Sequence, residues 1–353
     1  MSLGALISGD RPRSRLLAAA LIAILIGLAL APFLFPGTRS VDTAARVCVF
    51  IVLVASYDLM LGYGGIVSFA HTMFFGMGAY GVALASVHLG RGFDALALGS
   101  LAGALAAALL AALIGLFSLR VRAIFFAMIT LAVASAVAVL VSQLSALTGG
   151  EDGLSYRIPR ALTAAAKYAD GKVLGVRING KLVNYYLVFT VSLILFMVLL
   201  RIVNSPFGRV LQAIRENDFR AEAIGYRVVA YRTAATCLSA VAAALAGATY
   251  AIWLRYVGPA TTLNFEIMVD ILLMVVIGGM GTMYGAVIGA TLFVVAQNYL
   301  QTLLAAAGAA LAPVPALPLL FNPDRWLLWL GVLFVLSVYF FPTGIVGRLR
   351  QRQ

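Results

Sequence analysis

Long apolar segments separated by short polar ones run through the whole sequence. Windows of roughly 18 to 25 apolar residues are long enough to cross a bilayer as an α-helix. Such windows predict ten membrane helices, near residues 16–35, 45–62, 74–89, 94–118, 123–147, 185–203, 232–257, 267–280, 284–306 and 326–341. We therefore expect an all-α, polytopic membrane protein whose single transmembrane domain covers residues 1–353.

The composition agrees with this pattern, since 63% of the residues are hydrophobic and only 11% are charged. A net charge of +12 would fit a nucleic-acid-binding protein, but the basic residues lie mostly between apolar segments, so we exclude that class. The apolar run Leu16–Phe35 follows three arginines, as in a signal peptide. Because the run is about 20 residues long, we interpret it as a retained first membrane helix.

Positive charge indicates the orientation of the chain, because lysine and arginine concentrate in cytoplasmic loops. We expect both termini and the polar stretch 204–232 on the cytoplasmic side, together with Arg11, Arg13, Arg15, Arg120, Arg122, Arg348, Arg350 and Arg352. The basic loop 148–184 is the exception, because this topology places it on the outer face of the membrane. Asn179-Gly180 favours a type I′ turn between Val173–Ile178 and Lys181–Tyr186. We predict a small extracytoplasmic β-hairpin there, which either meets an external partner or plugs the loop.

The polar stretch 204–232 contains five arginines and three acidic residues between two apolar segments. Ser205-Pro206 is typical of a helix start, with the serine side chain as the cap. An apolar stripe at helical spacing follows, formed by Phe207, Val210, Leu211 and Ile214. We predict a short amphipathic helix that stops near Gly225 and that either rests on lipid headgroups or docks on another protein.

Two glycine-rich segments, Gly62–Gly65 and Gly278–Gly285, interrupt the apolar pattern. Non-helical backbone at membrane depth is tolerated where it is buried in protein or lines a cavity, so these breaks are either pathway elements or turns at the membrane surface. The candidate substrate pathway consists of Gly62, Tyr63, Gly64, Gly65, Ser68, His71, Asp270, Gly278, Gly279 and Gly281. Two small-residue faces predict close helix packing: Gly99, Gly103, Ala107, Ala111 and Gly115, and Gly281, Gly285 and Gly289.

Asp58 and Asp270 lie inside apolar helices, where a carboxylate costs about 2.5 to 3.5 kcal/mol. Each either belongs to a substrate or proton relay or caps the glycine-rich break that follows it, and we favour the second role. His71 either lines the pathway or packs with a hydrogen bond. The sequence contains no metal-site motif, no catalytic motif and no ATP-binding P-loop. We therefore expect that this chain is not an enzyme, holds no cofactor and depends on another subunit for any energy from ATP.

Several segments together are similar to the LivM type of permease from bacterial ABC importers for branched-chain amino acids. They lie in the chain from about residue 45 onward and are Leu61–Tyr80, Leu147–Gly153, Asn204–Gly225, Leu272–Ala290 and Phe341–Gly344. The most specific of them is the block from Ser205 to Asn217.

This resemblance implies import of branched-chain amino acids across the bacterial inner membrane, driven by ATP hydrolysis in separate subunits. The implied partners are a second permease of the LivH type, two cytoplasmic ABC ATPases that hold the ATP and magnesium, a periplasmic substrate-binding protein and membrane lipid. The resemblance also makes 204–232 a coupling loop that docks on an ATPase through Ser205, Pro206, Phe207, Gly208, Arg209, Arg215, Glu216 and Asn217. Three alternatives stay open: an ion-coupled secondary transporter that uses Asp58 and Asp270, an ABC permease for urea or short amides, and a structural scaffold.

Overall fold

The computed structural model describes residues 14–35, 37–118, 123–173, 176–310, 322–341 and 343–351, and most of these residues are helical. The helices, in chain order, are α1 (Arg15–Leu34), α2 (Thr38–Asp58), α3 (His71–His88), α4 (Phe93–Ser118), α5 (Ala123–Gln143), α6 (Ser145–Thr148), α7 (Gly180–Val203), α8 (Pro206–Glu216), α9 (Asp218–Ala223), α10 (Val228–Leu254), α11 (Pro259–Thr262), α12 (Phe265–Gly278), α13 (Met283–Ala310), α14 (Trp326–Phe340) and α15 (Gly344–Gln351). A π-helical turn, Leu59–Tyr63, continues α2.

Each of the ten predicted membrane segments coincides with one of the longer helices. Among the described residues, eight helical stretches are long and apolar enough to cross a membrane. Helices α3 and α14 are not among them, because α3 carries histidines and glycines and α14 has only 15 residues. The chain is therefore an all-α, polytopic membrane protein, as expected. Arg11, Arg13, Arg120, Arg122, Pro342 and Arg352 lie outside the described residues.

Helices α2 and α10 form the centre of the bundle. Nearly every side chain of α2 from Thr43 to Asp58 is buried, and most of α10 is buried as well. Helices α3, α4, α7, α12 and α13 pack around these two. Because burial on all sides of a helix requires neighbours on all sides, the apolar sequence of α2 serves protein packing more than lipid contact.

Glycine allows α3 and α10 to approach closely. A Cβ added at Gly78 of α3 would lie 1.7 Å from the Ala244 carbonyl oxygen of α10, and one at Gly247 would lie 1.9 Å from the Phe75 oxygen. The two predicted small-residue faces also pack inside the bundle, through Gly99, Gly103, Ala107, Ala111, Gly115, Gly285 and Gly289. Without a hydrophobic driving force in lipid, such close contacts hold membrane helices together.

The structure corrects the predicted hairpin. Strand β2 (Lys167–Val173) pairs antiparallel with β3 (Val176–Asn179), while residues 174–175 lie outside the described part of the chain. The predicted second strand, Lys181–Tyr186, is wrong, because these residues form the first turns of α7. The Asn179 side chain accepts a hydrogen bond from the Leu182 amide at 3.2 Å. Asparagine is as good a helix cap as a turn residue, and here the cap prevails.

A second, shorter sheet joins the loop before α7 to the end of α10. Strand β1 (Leu154–Ser155) pairs antiparallel with β4 (Tyr256–Val257).

The prediction of one helix running from Ser205 to Gly225 is also wrong. Asn217 has an extended backbone, with φ of −161°, and it separates α8 from α9. Its side chain accepts a hydrogen bond from the Arg220 amide at 2.8 Å and so begins the second helix. Gly225, with φ of 97°, follows the end of α9 as the expected stop. The stretch after Ser205 thus contains two short helices separated by a bend at Asn217.

Candidate functional site

Helix α8 packs against the end of α7 and the start of α10. Leu211 and Ile214 on its apolar face are fully buried. Phe207 stacks on Tyr231 of α10, with ring centroids 5.6 Å apart. The predicted apolar stripe therefore packs α8 against the bundle.

The connection from α7 to α8 is tight. A Cβ at Gly208 would lie 1.9 Å from the Val203 oxygen, so glycine is required there. Pro206 occupies the first helical turn as predicted, but Ser205 does not cap the helix with its side chain. Its hydroxyl instead donates to the Ile202 carbonyl at 2.6 Å. The outward side of this segment carries exposed polar residues, namely Arg209, Gln212, Glu216 and Asn217.

Arg215 extends from α8 to the first glycine-rich break. Its guanidinium donates a hydrogen bond to the carbonyl oxygen of Gly62. Its aliphatic stem lies beside Gly65, where a Cβ would be 3.1 Å from the Arg215 Cγ and where φ is +67°. A side chain at Gly65 would therefore meet both backbone strain and the arginine.

Asp58 connects the first break to the second. Its Oδ1 accepts a hydrogen bond from the Gly281 amide at 2.9 Å. A Cβ at Gly62 would lie 2.3 Å from that amide nitrogen, so the two backbones are in direct contact. We call the contact formed by Asp58, Gly62, Arg215 and Gly281 the glycine junction. The Asp58 carboxylate therefore binds the backbone of the second break, Gly278–Gly285, and not that of the first break, which follows it in the sequence.

The C-terminal part of the chain covers the second break. A Cβ at Gly344 would lie 2.2 Å from the Gly279 Cα, and one at Gly279 would lie 3.0 Å from the Thr343 oxygen. Gly278 has a similarly close approach to the Gly285 oxygen, at 2.0 Å. The second break therefore contacts both the first break and the segment around Gly344.

His71 and Ser68 lie in a buried polar cluster near the start of α3. A hydrogen bond of 2.9 Å joins His71 Nε2 to Ser56 Oγ, and Tyr57 donates to the Ser68 carbonyl at 3.1 Å. His71 also packs on the ring of Tyr57, with centroids 5.1 Å apart. These contacts match the packing role considered for His71.

Asp270 lies away from the glycine junction. Eight residues, or about 12 Å of helix, separate it from Gly278 on α12. Its Oδ2 accepts a hydrogen bond from Gln297 at 3.4 Å, and Arg46 of α2 attracts it electrostatically. The structure therefore does not bring Asp58 and Asp270 together as one pair.

A groove runs along α5 and is bounded on its other side by the starts of α3 and α12. The cavity has a volume of about 540 Å³, and we call it the lateral groove. Polar groups alternate there with apolar and aromatic ones, and the lining includes Phe69, Thr72, Ser135, Ser142, Gln143, Glu151, Asn264 and Phe265. Helix α5 is largely exposed, so this groove opens to the side of the bundle.

A second polar cavity lies at the end of the bundle opposite to α8, and sequence reasoning missed it. It has a volume of about 760 Å³, and its lining includes Arg39, Asp42, Arg46, Lys181, Asn184, Tyr250, Trp253 and Arg255. We call it the polar vestibule. The signal in the sequence was Arg39, Asp42 and Arg46, three charged residues at the start of a helix that is apolar from Val47 to Ala55.

Comparison with known proteins gives a matching family and similar sequences. The family described as branched-chain amino acid transport system permease component matches residues 40–338. The high-affinity branched-chain amino acid transport system permease protein LivM of Salmonella typhimurium is 26% identical over 358 residues, which cover 98% of this chain and 77% of that protein. The protein of the same name from Escherichia coli is 25% identical over 344 residues, which cover 94% of this chain and 75% of that protein.

A probable LivM protein of Methanocaldococcus jannaschii is 26% identical over 167 residues, which cover 46% of this chain and 45% of that protein. No solved structure matches the chain. The resemblance inferred from short segments of the sequence is thus confirmed over most of its length. The chain belongs to the family of permease components of branched-chain amino acid transport systems.

Proposed function

We propose that this chain is one of two permeases in an importer that carries branched-chain amino acids into the cytoplasm at the expense of ATP. The family and the names of its relatives support the substrate class. The other subunits would be a LivH-type permease, two cytoplasmic ABC ATPases and a periplasmic substrate-binding protein. The glycine junction is the observation that carries this proposal, because it connects an exposed helix directly to the membrane bundle.

In the proposed orientation, α8, α9 and both termini face the cytoplasm of a bacterium, and the protein resides in the inner membrane. The arginines at the α8 end support this orientation, since five of them occur between residues 204 and 232. Helices α3 and α14 would also lie within the membrane, which makes ten membrane helices in all. The polar vestibule then faces the periplasm.

Coupling would pass from the ATPases through α8 to the glycine junction. The exposed side of α8, which carries Arg209 and Glu216, would dock in an ATPase groove together with the following Asn217, while its apolar side stays packed against α7 and α10. When ATP closes the ATPase dimer, α8 moves and Arg215 displaces the carbonyl of Gly62. ATP can bias the two access states only to the extent that it binds one of them more tightly.

The substrate pathway would run along the lateral groove to the glycine junction. The second permease would close the open side of the groove, since α5 exposes most of its surface there. The groove combines aromatic walls with hydroxyl and amide groups, which suits an aliphatic amino acid with charged ends. The two glycine-rich breaks would form the inner end of this pathway, where backbone can move without a side chain in the way.

A double replacement tests the coupling role. Arg215→Ala with Glu216→Ala removes the contact with Gly62 and one exposed charge, but leaves the buried face of α8 intact. We expect the complex to assemble and to hydrolyse ATP while amino acid uptake per ATP falls. Arg220→Ala is the matched control, because Arg220 is an exposed arginine of α9, outside the glycine junction. Normal coupled uptake in the double variant would overturn the assignment.

A further inference from the structure

The polar vestibule and α8 lie at opposite ends of the same helices. Lys181 and Asn184 of the vestibule are near the start of α7, whereas α8 follows its end. Helix α7 has 24 residues, which corresponds to about 36 Å at 1.5 Å per residue. About one membrane thickness therefore separates the two sites.

Arg46 brings an unsatisfied donor to the vestibule. Its Nε is buried and has no hydrogen-bond partner among the described residues. The guanidinium lies 5.5 Å from the ring centroid of Phe50, and Asp270 attracts it without forming an ion pair in the described part of the chain. A buried N–H that lacks a partner carries a free-energy cost that an anionic oxygen would relieve.

Asn184 brings an unsatisfied acceptor to the same cavity. The residue is only 3% exposed, and its Nδ2 donates to the Ile252 carbonyl at 3.4 Å. Since a carbonyl can only accept, that contact fixes which atom of the amide is oxygen. The Oδ1 atom is buried and has no hydrogen-bond partner among the described residues.

Two other charges of the vestibule are already engaged. Arg39 donates to the Asn298 carbonyl at 2.5 Å and to the Thr302 hydroxyl at 3.3 Å. Lys181 forms an ion pair with Asp42 at 3.0 Å and lies 5.5 Å from the ring centroid of Trp253. Arg255 also lines the cavity but is exposed at the end of α10. Among the described residues of the vestibule, Arg46 and Asn184 are therefore the ones with a buried polar atom that lacks a partner, and they lie beside aromatic walls.

We propose that the polar vestibule is an entry site for a free α-amino acid, whose carboxylate binds Arg46 and whose ammonium binds Asn184. The aliphatic side chain lies against Tyr250 and Trp253. The volume of about 760 Å³ is within the range of small-molecule sites and leaves room for side chains of different size. The site thus recognises the two backbone groups of an amino acid. This inference rests on the proposed function for the identity of the cargo.

The test measures binding of three related probes to the purified permease–ATPase complex without ATP. L-leucine has both charged groups, leucinamide lacks the carboxylate, and 4-methylpentanoate lacks the ammonium. We expect Arg46→Gln to weaken leucine about 10- to 100-fold, the range for one hydrogen bond to a charged group, and to leave leucinamide unchanged. We expect Asn184→Leu to weaken leucine and leucinamide alike and to leave 4-methylpentanoate unchanged.

Arg39→Gln is the matched control, since this arginine lines the same cavity but binds other protein groups, and it should leave all three affinities unchanged. A misfolded variant would lose all probes together, so selective loss supports the proposal. Equal loss of leucine and leucinamide in Arg46→Gln, or no loss of either, overturns it. The proposal is also overturned if the variants bind leucine normally but receive less substrate from the binding protein, because the vestibule would then be a docking surface.

The two proposals can fail separately. A wild-type complex that performs ATP-driven uptake, with an Arg46→Gln variant that binds leucine normally, refutes the entry site alone. A wild-type complex without ATP-driven uptake refutes the proposed function.

Discussion

Replacing Gly62 with alanine should open the glycine junction. The added Cβ would lie 2.0 Å from Asp58 Oδ1 and 2.3 Å from the Gly281 nitrogen, whereas non-bonded heavy atoms prefer about 3.5 to 4 Å. Since the Gly281 atom belongs to the backbone, the two breaks must separate by about 1 Å or more. Overpacking costs about 1 to 3 kcal/mol, and losing the hydrogen bond of a charged carboxylate costs about 1.5 to 3 kcal/mol. We expect a combined loss of about 2.5 to 6 kcal/mol.

Thermal unfolding in detergent and the ratio of uptake to ATP hydrolysis measure this effect. Gly27→Ala is the matched control, because no heavy atom lies within 4 Å of a Cβ at that position in α1. Alanine is favoured over glycine in a helix by up to about 1 kcal/mol, so this control should be as stable as the wild type or more so. The reasoning is refuted if Gly62→Ala matches Gly27→Ala in both melting temperature and coupling ratio.

Replacements at two further residues test the hydrogen bond of Asp58 and the helix cap of Asn179. Asp58→Ala leaves the Gly281 amide without its acceptor and should cost about 1 to 3 kcal/mol, whereas Asp58→Asn keeps a carbonyl oxygen and should cost less; equal losses in thermal unfolding would contradict the role given to this hydrogen bond. Asn179→Ala removes the cap of α7 and should cost about 0.5 to 2 kcal/mol, with faster hydrogen exchange at the Leu182 amide. Asn179→Ser should restore most of that protection, and a serine variant as labile as the alanine variant would speak against capping.

The positions of the long helices could be predicted from the sequence because the membrane imposes one simple rule. A backbone in lipid must satisfy its own hydrogen bonds, so each long apolar window became a helix. Asparagine limited the prediction elsewhere, because its side chain serves turns and helix caps alike. At Asn179 and at Asn217 the cap prevailed, so the predicted second hairpin strand is the start of α7 and the predicted single helix after Ser205 is two helices.

The parts of the candidate site could be recognised from the sequence, but not their assembly. The glycine-rich breaks, Asp58 and Arg215 were each conspicuous in an apolar chain. The contact of Asp58 with Gly281 spans 223 positions, and neither periodicity nor spacing carries information over such a distance. The polar vestibule was missed for the same reason, since its residues come from α2, α7 and α10, as well as from the loop before α7 and from α13.

In the proposed function, α8 couples this permease to separate ATPases. Identifying the subunits that co-purify with the detergent-solubilised protein from its native membrane would test this coupling. We predict recovery of an ATPase and a second permease, with loss of the ATPase when Arg209 and Glu216 are reversed in charge and the buried Leu211 and Ile214 are kept. Recovery of the chain alone, with uptake after reconstitution driven by a proton gradient, would contradict the account.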